Sequence, residues 1–126
     1  MKQIIAMALL LASLGSAGCP KPEQDAYRTV VGAKAFIDSV KSKHPECGVS
    51  SSSALCADLR RATSAKDVLI DAGEIYCNVA VFGDADKTPC MPTPKGTPGA
   101  SAALATLRNA IANYERLETN LKAVIQ

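Results

Sequence analysis

The sequence predicts an all-α fold, an up-down-up bundle of three helices with two local disulfides. Three observations predict it. Apolar residues recur at helical spacing in three long segments. Stretches rich in Pro, Gly and Ser separate those segments. Aromatic residues make up only 4% of the chain, so Ala, Val, Leu and Ile must build the core, a helical style of packing. A length of 126 residues allows one domain, placed at 23–126.

The first helix is expected from Glu23 to about His44. Ala26, Val30, Ala33, Ile37 and Val40 fall on one stripe, with Tyr27 and Phe36 beside it and Arg28, Asp38, Ser39 and Ser42 opposite. Pro45 and Gly48 stop it. His44 extends the apolar stripe by a turn and is expected to meet the last carbonyls of the helix.

Ser50 to Ser53 supply N-cap residues for a second helix reaching about Val81. Leu55, Leu59, Ala62, Leu69, Tyr76 and Ala80 form its seam, interrupted by Lys66 and Gly73. Lys66 is expected to snorkel, its stem packed and its head wet. Val68, Ala72, Ile75 and Val79 add a second apolar stripe, as suits a central helix. Ser64 and Asp67 have the spacing of a helix start, so a kink or restart is possible there. Gly32 and Gly73 could permit close helix approach.

A loop follows from Gly83 to Gly99, with Pro89, Pro92, Pro94 and Pro98. The third helix, about Ser101 to Ile125, is the clearest. Ala103, Leu107, Ala110, Tyr114, Leu117, Leu121 and Val124 keep an unbroken 4-3 alternation.

Helix geometry selects the cysteine pairs. Cys56 and Cys77 lie near opposite ends of the second helix, about 31 Å apart at a rise of about 1.5 Å per residue. A disulfide needs Cα atoms within about 7 Å. Cys47 enters the helix beside Cys56, and Cys90 leaves it beside Cys77. The pairs are therefore Cys47–Cys56 and Cys77–Cys90.

Several classes of chemistry lack their residues. A formal charge of +2 leaves no electrostatic footprint for nucleic acid, and Arg60-Arg61 reads as a solvated face. One histidine and no Cys-x-x-Cys provide neither a zinc set nor a dithiol redox motif. His44-Pro45-Glu46-Cys47 could supply a thiol–imidazole pair. The run ending in Asp84-Ala85-Asp86-Lys87-Thr88 resembles the nucleophile motif of haloacid dehalogenase-type phosphatases. That resemblance implies Asp84 as nucleophile and Asp86 as acid/base with Mg²⁺. No aspartate follows Asp86, the chain is too short for the alternating strands and helices of that fold, and Pro89-Cys90 follow at once, so a solvated turn after a helix is the plainer reading. No catalytic residue, metal ligand or cofactor is assigned.

The first residues carry the address. Met1-Lys2-Gln3 is followed by an apolar run from Ile4 to Leu14 and then by small residues up to Cys19, the parts of a secretory signal. The run is about 11 residues, short of the roughly 20 that span a membrane. Ser16-Ala17-Gly18-Cys19 resembles the lipobox of bacterial lipoproteins, which implies removal of 1–18 and a lipid on Cys19. Ser16 stands where Leu is commonest, so ordinary cleavage after Ala17 is the rival. Five cysteines favour the lipobox: with Cys19 acylated, the other four pair completely.

Residues 19–22 then form a short tether to the membrane. Pro20 and Lys21 lack the Asp that retains some enterobacterial lipoproteins at the inner membrane, which tilts towards the outer one. The expectation is a non-catalytic binding or structural module on the bacterial envelope, with an envelope protein as partner. The alternatives are a carrier of a small apolar ligand or metal and, remotely, a phosphohydrolase using Asp84 and Asp86. An upright bundle would present Pro45 to Ser53 and the C-terminus to a partner. It would place Lys87 and Lys95 near anionic lipid.

Overall fold

The computed structural model describes residues 21–48, 52–83 and 90–125. Within them the chain forms helix α1 (Pro22–Lys43), a 3-10 turn (Pro45–Gly48), α2 (Ala54–Cys77) and α3 (Ala100–Ile125). The described residues contain no strand. Helix α3 packs mainly on α2, and α1 packs on both.

Helix α1 starts with Pro22 in its first turn, where a missing N–H costs nothing. Glu23 and Asp25 in that turn, with Lys41 and Lys43 in the last, match the helix dipole. All five residues of the expected stripe, from Ala26 to Val40, are buried. The helix ends at His44, whose φ of −130° and ψ of 64° lie outside the helical region that the following proline disfavours.

Ser53 caps α2 by accepting a hydrogen bond from the Cys56 N–H at 3.2 Å. The helix runs unbroken through Ser64 and Asp67, so the possible restart does not occur. Thr63 absorbs its own polarity by donating to the Leu59 carbonyl at 2.8 Å.

The expected end near Val81 is corrected. Helix α2 stops at Cys77, because Asn78 turns left-handed with φ 54° and ψ 44°. The N–H groups of Asn78 and Val79 both donate to the Glu74 carbonyl and close the last turn. Ala80, expected in the seam, is exposed, while Phe82 folds back into the core. The second apolar stripe is also corrected in part. Val68 and Ile75 are 54% and 66% exposed, and only Ala72 is buried. Helix α2 has two neighbours, and its seam already meets them.

One core joins the three helices. Ile37, Leu69, Leu107, Tyr114 and Leu121 are its largest closed side chains, each aliphatic one contributing about 1.5–3 kcal/mol by burial. The end of the expected α3 seam departs from the pattern, since Val124 is exposed. Lys66 snorkels as expected. Its side chain is only 17% exposed, while its ammonium reaches Asp67 at 3.2 Å.

Both cysteine pairs form as geometry requires, with Cα–Cα distances of 5.1 Å for Cys47–Cys56 and 4.4 Å for Cys77–Cys90. Residues 1–18, expected as a leader, and Cys19, Ser50, Ser51, Asp84, Asp86 and Lys87 lie outside the described residues.

Candidate functional site

Two adjoining clefts lie along the N-terminal half of α2. One cleft, of about 420 Å³, lies between α2 and the end of α1. Pro45, Cys47 and Leu59 supply its apolar lining, and Lys41, His44 and Arg60 its cations or potential cations. A second cleft, of about 460 Å³, lies between α2 and α3. Ala65, Val68 and Leu117 line it together with Arg60, Arg61 and Asn113. Arg60 and Ser64 border both clefts, so the two adjoin.

Local chemistry holds this end of the molecule. The 3-10 turn follows α1 through the bond from the Cys47 N–H to the His44 carbonyl at 3.0 Å. The Cys47–Cys56 disulfide then ties that turn to the first turn of α2. As a result Lys41, one turn before Pro45, and Arg60, one turn past Cys56, line the same cleft.

The expected contact of the His44 ring with the helix carbonyls is corrected: Nδ1 donates instead to Glu46 Oε1 at 3.0 Å. The Glu46 carboxyl is held below its usual range. Its own backbone N–H is the main cause, and the His44 ring adds to it. Arg61 is bonded to Asp58 at 2.8 Å, so part of its charge is answered within α2.

The disulfide also disposes of the thiol–imidazole reading, since Cys47 has no thiol to activate. Among the described residues no three His, Cys, Asp or Glu side chains gather as a metal set. Asp84 and Asp86 lie outside the described residues. The clefts combine apolar lining with Lys41, Arg60 and Arg61 at their edges.

Sequence reasoning placed the available tip at Pro45 to Ser53 and treated Arg60-Arg61 as a solvated face. It missed the convergence of Lys41 with Arg60. The signal was present in the Cys47–Cys56 spacing, which draws the flanking turns together. A Cβ at Gly32 would meet no neighbouring element within 4 Å, whereas Gly73 permits a close approach by Phe82, not by another helix.

No family model matches the chain, and comparison with curated proteins and with solved structures likewise gives no match. No helix among the described residues is long and apolar enough to cross a membrane.

Proposed function

We propose that this protein is a lipid-anchored component of the bacterial envelope whose helical domain binds an envelope partner and performs no catalysis. Cysteine arithmetic carries the reading. Cys47, Cys56, Cys77 and Cys90 pair among themselves, which leaves Cys19 alone of the five. Paired cysteines suit an oxidising compartment, where a leftover thiol calls for an explanation. A lipid on Cys19 supplies one. Acyl chains at about 0.8 kcal/mol per buried CH₂, two or more together, hold a protein at a membrane. Pro20 and Lys21 after that cysteine favour the outer membrane.

The bundle order in this proposal is up-down-up. Three proximities support it. The end of α1 shares a cleft with the start of α2, through Lys41 and Leu59. Tyr76, near the end of α2, feels the charges of Glu23 in the first turn of α1 and of Arg108 in the third turn of α3. Lys122, near the end of α3, lies 5.3 Å from the centre of the Phe36 ring in α1. In this order the tether delivers the start of α1 to the bilayer, and the clefts around Arg60 sit at the far end.

The test is the mass of the N-terminal peptide from protein extracted from native membranes. The expected species begins at Cys19 and carries diacyl- or triacyl-glyceryl mass. The Cys19→Ala variant should lose the membrane association. An unlipidated chain beginning at Gly18 would refute the anchoring and leave Cys19 unexplained.

A further inference from the structure

We propose that the Cys47–Cys56 disulfide is a thiol-exchange site, attacked at Cys47 by a dithiol reductant and opened in preference to Cys77–Cys90. The inference is independent of a lipid on Cys19 and goes beyond the reading of the domain as a binding module.

Access fixes which sulfur is attacked. In each disulfide one cysteine is closed and the other is open. Cys56 and Cys77 are fully buried, whereas Cys47 and Cys90 are partly exposed. Cys47 lines the cleft between the end of α1 and α2, so a thiolate entering that cleft meets it first. The cleft carries both signs of charge, Lys41 and Arg60 against the Glu46 bonded to His44 at 3.0 Å, so charge does not decide the attack. The attacked sulfur stays bonded to the newcomer, and the buried partner is expelled as a thiolate. Cys56 is therefore the leaving group in one disulfide and Cys77 in the other.

Helix position separates the two leaving groups. Cys56 is the third residue of α2, and Cys77 is its last. Negative charge is favoured at the N-terminal end of a helix and disfavoured at its C-terminal end. A helical Cβ leans towards the N-terminus, which brings the Cys56 sulfur closer to the favourable end. Ser53 fixes that first turn by accepting from the Cys56 N–H at 3.2 Å. Burial disfavours both thiolates alike and so does not distinguish them. The Cys56 thiolate is the better stabilised, and the better stabilised thiolate leaves faster.

The exchange balances in two steps. One thiolate of the dithiol bonds to the Cys47 sulfur as the bond between Cys47 and Cys56 breaks. The second thiol of the reductant, deprotonated, then attacks the reductant's own sulfur in that mixed disulfide and expels Cys47 as a thiolate. The dithiol ends as a cyclic disulfide, its two electrons pass to the protein, and its two protons end on Cys47 and Cys56.

The flanks decide how long the opened state lasts. Beside Cys77–Cys90, the Met91 N–H donates to the Cys77 carbonyl at 3.0 Å, and Asn78 Nδ2 donates to the Met91 carbonyl at 2.8 Å. Those bonds keep an expelled Cys77 beside Cys90 and favour its return. The turn at Pro45–Gly48 is bonded back to its own side, from the Cys47 N–H to the His44 carbonyl at 3.0 Å. Opening Cys47–Cys56 therefore releases this turn from the start of α2 and widens the cleft that it borders.

The experiment uses the full protein purified from membranes in a neutral detergent. It is pulsed with dithiothreitol, quenched with excess N-ethylmaleimide and digested with trypsin. Cys47 and Cys56 fall on peptide 44–60, Cys77 on 67–87 and Cys90 on 88–95. Peptide 44–60 should gain label about tenfold faster than the other two. With glutathione as the probe, fragmentation of 44–60 should place glutathione on Cys47 and maleimide on Cys56. In guanidinium chloride strong enough to unfold the chain, the rates should converge. In Cys47→Ser the freed Cys56 thiol should ionise at lower pH than the Cys77 thiol freed in Cys90→Ser, with helical circular dichroism checked for both.

Equal labelling of the three peptides in the folded protein would overturn the proposal, as would earlier labelling of 67–87. Glutathione found on Cys56 would reverse the direction of attack and refute it. A rate gap that survives unfolding would assign the order to local sequence and refute the role of the helix ends. A Cys56 thiol that ionises no more readily than Cys77 would do the same. None of these outcomes depends on the mass of the N-terminal peptide, which tests the anchoring separately.

Discussion

The ring of Phe82 occupies the space that a side chain at Gly73 would need. A Cβ at that glycine would stand 2.6 Å from the Phe82 Cγ, closer than carbon atoms approach. Gly73 therefore interrupts the seam of α2 to admit a residue that lies beyond the end of the helix. Asn78 makes this possible by turning the chain left-handed and sending Phe82 back to 7% exposure.

Gly73→Ala tests the relationship with two opposed effects. Alanine is intrinsically favoured over glycine in a helix interior by about 1 kcal/mol. Overlap with a buried ring costs about 1–3 kcal/mol. The second should prevail, and the variant should melt below the parent. Combining it with Phe82→Leu should cost less than the two single changes added together. A Gly73→Ala protein that melts higher than the parent would show that the ring moves freely.

Tyr114 presents a different strain. Its side chain is fully buried, and among the described residues its hydroxyl has no hydrogen-bond partner. Glu118, one turn on, is near enough to act on the hydroxyl electrostatically, but no bond of sound geometry reaches it. Burial is the main reason that the phenol is pushed far above its usual range, with Glu118 adding to it. Tyr114→Phe should raise stability at neutral pH by about 1 kcal/mol, since an unsatisfied buried hydroxyl is removed. A group with a raised folded pKa stabilises below its unfolded value, near pH 10, and loses that contribution as pH rises. The variant should consequently resist alkaline unfolding better than the parent. A loss of stability in urea at pH 7 would mean that the hydroxyl has a partner.

The legible parts of this fold are those governed by repetition. The stripe from Ala26 to Val40 is buried throughout because one helix face meets one core. The cysteine pairs were legible because helix rise puts Cys56 and Cys77 out of each other's reach. The end of α2 was not, since Val79 and Val81 continue an apolar pattern that one left-handed asparagine overrides. That asparagine is itself anchored from afar, its Nδ2 donating to the Met91 carbonyl at 2.8 Å. Periodicity cannot see a bond across thirteen residues. Exposure of Val68 and Ile75 escaped it for a related reason, since apolar spacing does not count how many helices are there to cover a face. The cleft between the end of α1 and α2 has Lys41 and Arg60 on one lining, and only the folded turn between them brings that about.

Glu46 gives the tip an acid-sensitive contact. Its carboxylate is stabilised first by its own backbone N–H and then by the His44 ring, so its folded pKa lies below the usual 4.5. A depressed folded pKa contributes stability above the unfolded value and loses it as pH falls through the folded one. Glu46→Gln should therefore flatten the fall in melting temperature between about pH 5 and pH 3. His44→Ala should raise the Glu46 pKa only part of the way, because the backbone contribution stays. Carbon-detected NMR titration of the carboxyl group reads this directly. Titration at the ordinary glutamate value in the parent would sink the argument.

The two disulfides should differ in what their loss does to the protein. Alkylation without reductant should modify none of Cys47, Cys56, Cys77 and Cys90 in the folded protein. The sequence separations are 9 for Cys47–Cys56 and 13 for Cys77–Cys90, so the chain-entropy model gives each a similar stabilisation of about 2–3 kcal/mol. Local consequences diverge. Beside Cys77–Cys90, the Met91 N–H donates to the Cys77 carbonyl at 3.0 Å, and Asn78 Nδ2 donates to both Met91 O and Thr93 Oγ1. That segment keeps its anchorage when both of its cysteines become serine. The 3-10 turn at Pro45–Gly48 holds to α2 chiefly through Cys47–Cys56, since its backbone bond runs back to His44. Replacing Cys47 and Cys56 by serine should release the turn, open the cleft between Lys41 and Arg60 and speed amide exchange at residues 44–48. Replacing Cys77 and Cys90 should lower the melting temperature by a similar amount while leaving exchange at the tip unchanged. Equal protection of residues 44–48 in both double variants would show that the turn is held by packing and not by the disulfide.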